Sequence, residues 1–200
     1  MKRLAFVTGI LALVAPLALA QASTPISAPV STWTSDAAHS EVDFSIRHLG
    51  ISNVRGRFGN VAATLVWNQA DITRSRVTAT IDAATVDTGV QMRDADLKSA
   101  NFFDVANFPT ASFTSTRVVK NGHGLTVNGN LTLHGVTRPV VLEVEGPSGP
   151  VPGLTDHKPH CGFSVTTTIS RTAFGIGGKY PAAIVGDEVK LTIDLDVVKQ

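Results

Sequence analysis

Asp156, His157, His160 and Cys161 fall within six residues, "DHKPHC", and bring oxygen, nitrogen and sulfur donors together. That set suggests metal chemistry. Zinc sites, however, usually recur as spaced ligand pairs, and here there is a single cluster with Pro159 inside it. The segment is therefore assigned as a polar loop leading into a strand that starts at a small buried Cys161, with no metal and no cofactor; the weaker alternative is a small-molecule enzyme with "DHKPHC" as its metal site. Acyl transfer would need a serine on a strand-to-helix elbow, and Ser148 in "GPSGP" has prolines around it instead. Asp94 and Asp96 are too closely spaced to share one helix face as an acid–base pair. "GIGG" at 175–178 is too short to cradle a phosphate. Nothing in these residues asks for catalysis, and the chain is predicted not to be an enzyme.

The elements that would position such residues are mostly strands. In "HSEVDFSIRH", Val42, Phe44 and Ile46 share one face. Val61, Ala63, Leu65 and Trp67 do so in the next run, then Val77, Ala79, Ile81 and Ala83. Leu125, Val127, Leu131 and Leu133 follow with Gly129 among them, and then Phe163, Val165 and Ile169 opposite a row of Ser and Thr. Val189 to Val197 closes the series. This period of two describes half-buried strands. With Asn121-Gly122-His123-Gly124 as a hairpin signal, it predicts an antiparallel all-β domain, closed as a barrel or packed as a sandwich. Residues 146–160, rich in Gly and Pro, are predicted to be a surface loop.

The exception is "RDADLKSANFFDVANFPTASF", residues 93–113. A short helix is expected from near Thr88, capped by Asp87 or Thr88 and supported by an Asp94–Lys98 pair. Met92 and Leu97 would supply its apolar contacts, with Asp94, Asp96 and Lys98 in water. Pro109 then returns the chain to extended geometry.

Residues 1–22 combine Lys2 and Arg3, an apolar run from Leu4 to Leu19 and small residues, the pattern of a secretory signal peptide. The run is about 16 residues long with Pro16 inside it, short of the roughly 20 that span a bilayer. Residues 23–32 are predicted to be a flexible lead-in and 33–200 a single domain, exported to the periplasm. Loss of Lys2 and Arg3 turns the net charge from +1 to −1, which argues against nucleic acid as a partner. With one cysteine, no intrachain disulfide can form. Cys161 either bridges a homodimer or is buried, and burial is expected because free cysteines are among the most buried residues.

The inward rows mix large residues (Phe44, Phe58, Leu65, Phe163) with small ones (Ala63, Ala79, Ala83, Gly129). A barrel of about eight strands with such an interior either packs full or holds one small apolar ligand, and periodicity does not separate the two. His48, Arg93 and Arg171 are the available polar anchors.

Four ordered segments resemble the YceI-like family of small exported bacterial proteins: "DAAHSEVDFSIRHLGISNVRGRF" (36–58), the 93–113 stretch, "VNGNLTLHGVTRPVVLEV" (127–144), and "SRTAFGIG" with "VGDEVKLTIDLDV" (170–197). The resemblance runs from Trp33 to the end. It implies an extended, lipocalin-like antiparallel barrel with a long apolar channel, binding a polyisoprenoid lipid such as an isoprenoid quinone or polyprenyl derivative. The chain departs from the family at Asp96, where members often carry His, and at "HKPHC", where a Lys- or Arg-bearing lead is common. The expected ligand-binding residues are Phe44, Ile46, His48, Phe58, Leu65, Ile81, Met92, Leu97, Phe102, Phe103, Phe113, Leu131 and Phe163. Phe108 is expected to pack under the Pro109 turn. Expected partners are the lipid and, transiently, a membrane. The alternative is a periplasmic stress-related interaction module with a filled core and no lipid.

Overall fold

The computed structural model describes residues 29–122 and 124–200; the predicted signal peptide, residues 23–28 of the lead-in and His123 lie outside them. Ten strands form one antiparallel sheet: β1 (Val30–Ser35), β2 (Glu41–His48), β3 (Ser52–Phe58), β4 (Ala62–Asn68), β5 (Arg76–Asp82), β6 (Thr110–Asn121), β7 (Gly124–Leu133), β8 (Val136–Pro152), β9 (Pro159–Ser170) and β10 (Val185–Lys199). Among the described residues there is one α-helix, α1 (Gln91–Lys98), which precedes β6. β1 begins inside the segment predicted as lead-in.

Closure depends on the long β10. One edge pairs with β9; the other pairs with β2 over Val185–Asp194 and then with β1 over Val197–Lys199. β3 and β4 likewise pair with β2 and β1 in turn. Each of these two pairs of strands occupies one barrel position, interrupted by a turn. The result is a closed eight-position antiparallel barrel, the predicted fold class, and closure removes the exposed edges that invite aggregation.

Two irregularities hide strands from a periodicity argument. In β6 the register shifts between Ser115 and Arg117, so the inward positions change from Ala111 and Phe113 to Val118. β8 continues to Pro152 through shifts at Glu145/Ser148 and Ser148/Val151. The predicted 146–160 surface loop is therefore corrected: its first seven residues are strand. Gly146 (φ 119) and Gly149 (φ 105) press against the carbonyl oxygens of Gly162 and His160, where a Cβ would collide. Proline, which cannot donate to the ladder, is tolerated at such bulges.

The helix also differs from expectation. Its N-cap is Val90, with no side-chain cap. Gly89, at φ 73, separates Thr88 from the helix, and Asp94 reaches back to accept from the Thr88 backbone N–H and hydroxyl. Asp94 is thus committed to Thr88, and no Asp94–Lys98 ion pair occurs among the described residues.

Candidate functional site

The barrel encloses two apolar chambers in line. The upper one, about 330 Å³, lies at the end where α1 sits. β2 and β3 supply Phe44, Ile46, Val54 and Phe58; α1 and the turn after it supply Leu97, Phe102 and Phe103; β10 supplies Val189 and Leu191. Rings lock this wall. Phe58 meets Phe103 edge-on at 5.3 Å and Phe44 at 5.6 Å, and Phe102 stacks on Tyr180 at 5.1 Å. Gly56 leaves room for the Phe44 ring, which a Cβ there would displace.

The lower chamber, about 160 Å³, runs on toward the other end, lined by Ala63, Leu65, Trp67, Val77, Phe113, Val127, Phe163 and Val165 among others. Ser75, Arg76 and Thr167 are the polar residues on its wall. Trp33, Cys161 and Val197 pack behind Leu65, Trp67 and Phe163. The two chambers share Val42, Ile81, Leu131 and Leu191, which form a neck between them. The upper chamber alone falls within the roughly 300–1,000 Å³ of small-molecule pockets.

Most of the polar lining groups gather at the upper rim: Arg47, His48, Arg93, Asp96, Arg171 and Tyr180. Arg93 donates through Nε and Nη2 to the Thr88 hydroxyl and carbonyl. Asp96 accepts from Asn101 Nδ2 at 2.6 Å and from the Tyr180 hydroxyl at 3.5 Å. Neither Arg47 nor Arg93 has a carboxylate within ion-pair distance among the described residues.

The structure places Phe44, Ile46, His48, Phe58, Leu97, Phe102 and Phe103 on the upper chamber, Leu65, Phe113 and Phe163 on the lower, and Ile81 and Leu131 at the neck. Met92 is a correction. It is 85% exposed, because the inward face of α1 carries Arg93, Asp96 and Leu97, the i, i+3, i+4 set, and Met92 lies outside it. The same geometry moves Asp96 from the predicted solvated face to the rim. Arg171 changes role too. Its five N–H groups donate to the carbonyls of Ile176, Gly177, Tyr180, Val185 and Gly186, so it has no donor left for a ligand. It pins the 176–186 segment onto the barrel. Phe108 packs on Gly135 and edge-on to His134 at 4.6 Å.

Sequence reasoning missed Arg47, Tyr180, Ile176 and Ile184. Arg47 follows the inward Ile46 and reads as an outward residue. The other three lie in a Gly-containing segment without periodicity, folded over the chamber by the Arg171 hydrogen bonds, the Phe102–Tyr180 stack and the Leu49–Ile184 backbone bond. The "DHKPHC" group is split. His157 is exposed, whereas Cys161 is 2% exposed, its thiol pushed up by burial. His160 lies between Asp196 and Asp156, and the hydrogen bond to Asp196 raises it above the usual histidine range.

The family model for the YceI-like domain matches residues 33–197. The chain belongs to the YceI-like family. It is 35% identical over 160 residues to a UPF0312 protein of Vibrio cholerae, covering 77% of this chain and 82% of that one. It is 44% identical over 110 residues to Protein YceI of Salmonella arizonae, covering 55% and 58%. Among solved structures it superposes on Burkholderia cenocepacia BcnA with TM-score 0.72 at 26% identity, covering 81% of this chain and 98% of that one. The Campylobacter jejuni YCEI protein gives 0.68 at 26%, covering 94% and 99%. A polyisoprenoid binding domain from Saccharophagus degradans gives 0.58 at 17%, covering 84% and 98%, a likeness of fold alone.

Proposed function

We propose that this protein is a non-catalytic carrier that takes up one polyisoprenoid chain, an isoprenoid quinone or polyprenyl derivative, in the periplasm. The observation that carries this reading is the pair of in-line chambers, predominantly apolar, with most of their polar groups gathered at one rim. An elongated apolar chain fits that shape, its tail in the lower chamber and its head near Arg47, His48 and Arg93. Burying about ten CH₂ groups at roughly 0.8 kcal/mol each yields about 8 kcal/mol before the cost of association. Length, more than head group, would then set affinity. The likeness in fold to a polyisoprenoid binding domain supports the same chemistry. The basic, apolar and small-residue N-terminus supports export.

Exchange with a bilayer fits the same end of the barrel. Leu49 (51% exposed), Ile51 (80%) and Ile184 (42%) stand in water beside Arg47 and His48, and the Leu49 N–H donates to the Ile184 carbonyl. An apolar tip beside the Arg47 cation suits transient contact with an anionic membrane. Native mass spectrometry of protein purified from its own host tests the proposal. A co-purifying isoprenoid mass supports it; repeated recovery of empty protein that also ignores added prenyl lipid overturns it in favour of an interaction module.

A further inference from the structure

On the outer wall, where the turn between β1 and β2 interrupts the sheet beside β10, two histidines and three aspartates meet from four separate stretches of chain. Asp36 and His39 come from that turn, Asp156 from the loop before β9, His160 from the start of β9, and Asp196 from the outward face of β10. We propose that Asp36, His39, His160 and Asp196 bind a divalent late first-row metal ion of the zinc class, with Asp156 orienting His160 from behind.

Three of the four donors already converge, and His160 reaches the group through Asp196. Asp36, His39 and Asp196 each present a ligating atom within 4.8 Å of the others. His39 Nδ1 is 2.8 Å from Asp36 Oδ2, and His160 Nδ1 is 2.7 Å from Asp196 Oδ1. An ion entering there would replace the protons shared across these two contacts, so two carboxylates and two neutral imidazoles would balance a double positive charge. That N₂O₂ set suits tetrahedral zinc at roughly 2.0–2.2 Å, whereas calcium and magnesium prefer oxygen alone. Behind the site, His160 Nε2 lies 3.3 Å from both carboxylate oxygens of Asp156. A histidine that binds metal through one nitrogen and holds a carboxylate with the other is the usual arrangement around such ions. Among the described residues, no Lys or Arg comes within ion-pair distance of the three carboxylates. His39 is 69% exposed, which gives the ion a way in and leaves its ring free to adjust. The chain reading of "DHKPHC" alone missed this group, because only His160 of that hexapeptide would touch the ion and its partners lie 36 residues and more than 100 residues away.

Calorimetric titration of untagged, chelator-stripped protein with Zn²⁺, with metal content measured after dialysis, is the test. One zinc per chain is expected, with affinity unaffected by excess Ca²⁺. His39→Ala, at an exposed position, should keep the fold and weaken binding at least tenfold. Asp196→Asn should do the same, Asp156→Asn should weaken it less, and His157→Ala should leave it unchanged. Absence of stoichiometric zinc, or binding that survives His39→Ala and His160→Ala in folded protein, overturns the assignment. Prenyl binding in the lumen is a separate readout, so either idea can fail alone.

Discussion

The two chambers are lined by similar apolar side chains, yet they are walled differently. Around the lower one, strands enclose most of the space and sheet register sets most inward residues, with Val61, Ile72 and Ser75 just outside the strands. Around the upper one, part of the wall is α1, the turn with Phe102 and Phe103, and the 176–186 segment, held by rings and by the hydrogen bonds of Arg171. The strands make the capacity; α1, the 102–103 turn and the 176–186 segment complete the entrance, whose charges come from β2 (Arg47) and α1 (Arg93 and Asp96).

Removing the pin should break the upper wall most severely. Arg171→Met leaves five carbonyl oxygens without their donor and is expected to cost roughly 3–5 kcal/mol, lowering the melting temperature by about 10 °C. Circular dichroism melting checks this, and a melt within 2 °C or so of the parent would contradict the role given to Arg171. Phe103→Asp puts a charge opposite Phe58 without touching the lower chamber. Retention of a long prenyl chain should fall at least tenfold in a protein that still folds, as read by lipid extraction; unchanged retention would remove the 102–103 turn from the site.

How much of this division was legible beforehand follows from what periodicity encodes. Phe44, Leu65 and Phe163 lie on strands, where the period of two places each side chain on the inner face. Met92 and Asp96 lie on a two-turn helix whose burial depends on what it packs against, which no local pattern records. The 146–152 end of β8 was read as a loop because Gly146 and Gly149 provide bulges that a Pro-rich segment requires, and bulges and loops share the same residues. The Arg171 pin was invisible for another reason: its acceptors are backbone carbonyls, which every sequence has.

The neck offers a finer test. Leu131→Trp fills the passage between chambers, so a long chain should lose about tenfold while a chain short enough for the upper chamber keeps its affinity; competition between prenyl alcohols of different length reads the split. Equal losses for both would mean the chambers act as one. The smallest effect expected concerns pH. Hydrogen bonds from Thr172 hold the Asp187 carboxyl below its usual range. A carboxylate with a lowered folded value contributes stability that is present above its unfolded pKa and lost as pH falls through the folded one. The melting temperature should therefore drop in acid, and by slightly less in Asp187→Asn.

Trp67 lines the lower chamber and Trp33 packs 5.4 Å behind it, so the protein carries its own sensor at the far end of the lumen. Tryptophan emission should be followed while prenyl alcohols of increasing length are added. If one chain threads both chambers, short chains should bind with little change in emission, and beyond a threshold length the emission should shift and quench. Emission that never responds, or responds alike to every length, would contradict a continuous apolar lumen as the binding site.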